Sequence, residues 1–123
     1  MADIKASLAF WCDLIGFQIL YDRPEEHFAY LDLKGAQIML EQYATDVRQW
    51  ITGPLEKPLG RGMNMQIEVT DIEAPLDKLR QAQWPLFMEP EEKRYRIGDK
   101  HEAQTQFLVQ DPDGYLLRLF QAH

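Results

Sequence analysis

One order of elements is written twice along this chain: a helix and three strands, then, after a linker, a strand, a helix and three strands. Residues 3–15 place Ile4, Leu8, Trp11 and Ile15 on one helical stripe, with Asp3 as N-cap and Gly16 as the stop. Three strand signals follow in "FQILYD", "HFAYLDL" and "AQIMLEQ", separated by "RPEE" and by a Lys34-Gly35 turn. A further strand lies in "MNMQIEV". In "TDIEAPLDKLRQAQW", Ile72, Leu76 and Leu79 form a second helical stripe whose start Pro75 confines to the first turn. "PLFMEP", a charged stretch around "EEKRYRIGDKHE", "TQFLVQ", the turn "DPDG" and "YLLRLFQ" complete the chain. "RPEE" returns as "EPEE", and "LKGAQIMLEQ" lies on "PDGYLLRLFQ" with Gly35 on Gly114. The reading is an α+β chain forming a single domain over 1–123: a first unit over 1–42, a linker over 43–62 and a second unit over 63–123. The first unit is expected to lack the strand that opens the second.

Composition narrows what such a domain can do. At 46% hydrophobic and 27% charged, 123 residues suit one globular core. A net charge of −7, from thirteen Lys and Arg against twenty Asp and Glu, disfavours nucleic acid and permits a cationic ligand. No apolar run nears the roughly 20 residues that span a bilayer, so no membrane partner is expected. The start "MADIKASLAFW" has no signal-peptide pattern, and a cytoplasmic location is the expectation. Cys12 is the only cysteine, which excludes an internal disulfide and a multi-cysteine zinc site. It is read as packing in the first helix.

Tandem βαβββ units, with "SLAFWCDLIGF", "FAYLDLKGAQIMLE", "TGPLEKPLGRG" and "FLVQDPDGYLLRL", resemble the vicinal oxygen chelate superfamily of glyoxalases, extradiol dioxygenases and bleomycin resistance proteins. The likeness is greatest to the bleomycin resistance branch. The resemblance implies a curved mixed sheet around a cleft, with the helices outside. In metal-dependent members each unit supplies one ligand from its first strand and a glutamate from its last. Carried onto this chain, the first ligand would fall on the absent opening strand. The first glutamate falls at Met39, or at Glu41 after a slip of two residues. The second unit's histidine falls at Asn64 and its glutamate at Arg118. A guanidinium has no lone pair for a cation and an amide oxygen is a weak ligand, so no metal and no cofactor are expected.

Strand alternation sorts the remaining candidates. Ile38 and Leu40, Met65, Ile67 and Val69, and Leu117 and Leu119 suit a core face. Met39 and Glu41, Asn64, Gln66 and Glu68, and Leu116, Arg118 and Phe120 lie opposite, facing either a cleft or plain solvent. Trp11 is read as core, and Trp84 as closing the second helix onto the sheet. Trp50, in the linker, either stacks on a ligand or covers the core. Asp111 and Asp113 are read as turn residues without a catalytic role. The candidate ligand-binding set is therefore Met39, Glu41, Trp50, Asn64, Gln66, Glu68, Arg118 and Phe120, with no catalytic residue. The resemblance implies a metal-free homodimer that sequesters a cationic glycopeptide such as bleomycin. The alternatives are a lyase-like or dioxygenase-like enzyme using Glu41 or Glu68 as base, and a small-molecule sensor.

Overall fold

In the computed structural model, which describes residues 1–123, the chain starts as its sequence suggests. Asp3 caps α1 (Ile4–Leu8), its carboxylate accepting from the backbone N–H of Lys5 at 3.0 Å and of Ala6 at 3.4 Å. Beyond Leu8 the helix widens into a π-helical segment, Ala9–Ile15, and Gly16 ends it in the left-handed region at φ 110°. A single α-helix over 3–15 is therefore not what forms. The wider turn, with i to i+5 bonding, brings two neighbours, Phe10 and Trp11, into the core together. A stripe drawn at 3.6 residues per turn admits only Trp11.

The three strands β1 (Gln18–Arg23), β2 (Phe28–Leu33) and β3 (Ala36–Glu41) form an antiparallel meander in that order. A second sheet holds β4 (Asn64–Glu68), β5 (Leu86–Ile97), β6 (Lys100–Gln110) and β7 (Leu116–Ala122), arranged β4-β7-β6-β5. Its β4 and β7 run parallel, as the crossover through α2 (Glu73–Gln81) requires. The seven strands are thus divided between two sheets, with β3 and β4 each at a free edge. One core serves both. Leu31 and Leu40 from the first sheet join Ile67, Phe107, Leu117 and Leu119 from the second, against Trp11, Leu76 and Leu79 of the helical layer.

Two segments differ from the reading of the sequence alone. The charged stretch around "EEKRYRIGDKHE" is not irregular; it is a β5–β6 hairpin, paired from Glu91↔Gln106 out to Ile97↔Lys100. The outer hairpin is largely exposed on both sides, so it needs no apolar alternation and gave no strand signal. The linker 43–62 has no helix or strand but is anchored, since Leu59 donates its backbone N–H to the Asp113 carbonyl at 2.8 Å. No helix is long and apolar enough to cross a membrane.

Candidate functional site

Because the core faces of both sheets pack on one helical layer, their opposite faces are open. On the second sheet the pairs Asn64↔Leu116, Gln66↔Arg118 and Glu68↔Phe120 set all six side chains on that open face. Asn64, Gln66, Glu68, Arg118 and Phe120 are therefore neighbours. Arg118 stands in the middle. One of its terminal nitrogens donates to Gln66 Oε1 at 2.6 Å, while its buried Nε finds no partner. The two ion pairs of the molecule are Arg23 with Glu26 and Arg80 with Glu89, so Arg118 is a cation without a carboxylate.

Beside it runs a polar network that alternation of the short strand signals did not reveal. Gln106, only 4% exposed, accepts from Tyr95 Oη at 3.0 Å and from Gln104 Nε2 at 2.9 Å, and donates to Glu91 Oε1 at 3.0 Å. Two of these partners, Glu91 and Tyr95, come from the hairpin strand that the sequence concealed. Buried amides held on all sides are fixed in orientation, which makes this part of the face rigid.

Met39, Glu41 and Trp50 lie elsewhere, around a cavity of about 610 Å³ between the free edges of the two sheets. Twelve of its sixteen lining residues are hydrophobic, so it favours an apolar occupant. Trp11, Leu40 and Met65 line it along with Tyr43 and Leu55 of the linker. Trp50 is 82% exposed, with the Arg48 guanidinium 5.2 Å from its ring centroid; it does not cover the core. No three His, Cys, Asp or Glu side chains anywhere converge in a way that could hold a metal ion. The donor set at Asn64, Gln66 and Arg118 does not fit one either: it offers amide groups and a fixed positive charge.

The "DPDG" turn does more than turn. Asp111 and Asp113 are buried at 5% and 2% exposure. Asp111 accepts from Trp11 Nε1 at 3.2 Å and from the backbone N–H of Asp113 and of Tyr115, each at 2.9 Å. Asp113 accepts from Ala2 N at 3.0 Å and Ser7 Oγ at 3.4 Å. The second unit's turn thereby grips the first unit's helix. Burial raises the Asp111 carboxyl above its ordinary value, outweighing these hydrogen bonds. A raised carboxyl stabilises the fold while protonated and loses that contribution as pH rises through its folded pKa. The stability advantage of the wild type over Asp111→Asn is thus expected to be larger in mildly acid than in neutral solution, read by urea melts of both proteins. An advantage independent of pH would contradict the raised value. Cys12 is half-buried, and burial followed by the charge of Asp13 raises its thiol above the ordinary value.

The family model of the Glyoxalase/Bleomycin resistance protein/Dioxygenase superfamily matches residues 1–119. A Synechocystis sp. protein described as a probable lactoylglutathione lyase is 27% identical over 124 residues, covering 98% of this chain and 88% of its own. A superfamily member from Vibrio splendidus 12B01, known from its crystal structure, is 39% identical over 98% of this chain and 91% of that one, at a TM-score of 0.47. TioX from Micromonospora sp. ML1 shares the fold at a TM-score of 0.73 with 17% identity, covering 100% of this chain and 93% of its own.

Proposed function

The chain belongs to the glyoxalase/bleomycin resistance protein/dioxygenase superfamily, and from that premise we propose that it is a metal-free binding protein. Its ligand is a cationic glycopeptide of the bleomycin type, sequestered without being altered. One observation carries the metal-free part of this reading: the Arg118 guanidinium, tied to Gln66, stands on the open face at the position where the resemblance implies a carboxylate in metal-dependent relatives. Around it, Asn64 and Gln66 offer amides to a peptide-like ligand, Phe120 offers an apolar surface, and Glu68 offers negative charge. Glu41, apart from this face at the cavity, adds a carboxylate there, and the net charge of −7 draws cations toward the protein. The exposed ring of Trp50 is free to stack on an aromatic part of the ligand. The protein acts as a homodimer. The outer strand β1, exposed along its whole length with Ile19, Leu20 and Tyr21 uncovered, supports association with a second copy.

The test is calorimetric titration with metal-free bleomycin, followed by mass spectrometry of the recovered ligand. The ligand should return with its mass unchanged. Glu41→Gln and Glu68→Gln should each weaken binding about two- to fivefold, matching roughly 0.5–1 kcal/mol for a solvated ion pair. Added salt should weaken it further. A chemically altered ligand, or two variants that bind as tightly as the wild type, would overturn the proposal. The Synechocystis relative supports a second reading, an enzyme acting on a small metabolite with Glu41 or Glu68 as general base. Turnover that disappears with one of these glutamates would favour it.

A further inference from the structure

Arg118 is half-buried, and neither ion pair of the molecule includes it. Its place in the sheet explains why. Because β7 lies between β4 and β6, Arg118 has Gln66 on one side and Leu108 on the other, with Leu116 and Phe120 before and after it on the same face. Apart from Gln66, these neighbours are apolar. The buried Nε donates to nothing. A guanidinium set among apolar groups attracts an anion more strongly than one in open water, because the local dielectric is lower.

The bond that Arg118 does make decides the chemistry beside it. Guanidinium nitrogens only donate, so the 2.6 Å bond takes the amide oxygen of Gln66 and leaves the amide nitrogen as a donor. Asn64, on β4 and on the same face, carries a second exposed amide. The carboxylates nearest in the register do not answer the charge. Glu91 accepts from Gln106 at 3.0 Å, and Glu68 lies opposite Phe120, outside ion-pair distance of Arg118. The middle of the face thus combines a fixed positive charge, N–H donors and apolar walls, and it lacks an acceptor.

We propose that Arg118 and Gln66 form a binding site for a carboxylate, carried by an organic ligand with an apolar body. The terminal guanidinium nitrogens offer paired N–H groups to the two carboxylate oxygens, Gln66 adds a donor beside them, and Leu116 and Phe120 take the apolar part. A planar monoanion suits the face better than a phosphate, since Glu68 and the net charge of −7 oppose a doubly charged group. A ligand that also carries a cation can place it at Glu68. The inference rests on the reading of the open face as the ligand site, and not on the identity of the glycopeptide.

The test titrates isotope-labelled protein with sodium benzoate and, at the same ionic strength, with benzamide, which is close in shape and uncharged. The side-chain signals of Arg118 and Gln66 are followed by NMR. Benzoate should shift both signals and bind at least about tenfold more tightly than benzamide. Gln66→Glu gives Arg118 a carboxylate from the chain itself, so the variant should remain folded and bind benzoate at least about tenfold more weakly. Arg118→Lys keeps the charge without the planar fork and should weaken binding about threefold or more. Equal affinity for the two probes, no shift at Arg118 with benzoate, or wild-type affinity in both variants would overturn the proposal. Bleomycin failing to bind where benzoate succeeds would overturn the glycopeptide reading alone and support this one.

Discussion

Trp11→Ala is expected to lower unfolding stability by about 3–5 kcal/mol, the range for removing a large aromatic side chain from a packed core. Trp11 is 1% exposed. Its ring meets Phe10 and Phe17 edge to face, at 5.7 and 5.3 Å between centroids, and its Nε1 donates to the buried Asp111. It joins the aromatic cluster of the first unit's helix to the second unit's "DPDG" turn. Truncation leaves a void that opens into the neighbouring cavity, and it takes one donor from a carboxylate with little water to replace it. A domain of this size has a total stability of only about 5–15 kcal/mol, so much of it depends on this one side chain. Trp11→Phe should cost less, because a smaller ring still fills part of the site while the donor and the rest of the indole are lost. Urea melts of both variants provide the measurement, and a loss below about 1 kcal/mol for the alanine variant would show that the cluster does not hold the units together.

Gly114→Ala should cost about 2–5 kcal/mol, combining strain at positive φ with overpacking. Gly114 sits at φ +97°, and a Cβ there would lie 2.5 Å from Pro58 Cβ, 2.6 Å from Pro58 Cα and 3.1 Å from the Leu59 nitrogen. Two of those contacts are backbone, which cannot rotate out of the way. The control is Gly35→Ala, its counterpart in the first unit. Gly35 has almost the same φ, +96°, yet an added Cβ meets nothing within 4 Å. That variant should lose only about 1 kcal/mol, the cost of the conformation itself. The difference between the two melts measures how closely the linker is docked on the "DPDG" turn. Equal losses would mean that the linker yields freely.

The regular elements could be read from the chain because their signals are local. The stripe of Ile72, Leu76 and Leu79 is buried as its spacing demands, and Leu117 and Leu119 face the core while Arg118 faces away. The helix cap at Asp3 and the stop at Gly16 also need only their neighbours. Their periodicity and capping chemistry act over a few residues, so the repeated order of elements was legible too. The part of the candidate site on one strand pair was equally open to reading: Asn64, Gln66, Glu68, Arg118 and Phe120 share a face because alternation leaves no other choice.

What the chain alone could not settle are the features made by segments far apart in sequence. The buried carboxylates of Asp111 and Asp113 look like ordinary turn residues until Trp11 and Ser7 arrive from about a hundred positions away. Gln106 becomes a fixed point on the open face only when β5 brings Glu91 and Tyr95 beside it. Met39, Glu41 and Trp50 part from the other candidates because the cavity forms where β3 and β4 each leave one edge unpaired. Local propensity can mark a residue as strand, core or cap. Which strand edges stay open, and which buried polar groups meet, depends on how the two units close over one core, and that is a property of the folded chain.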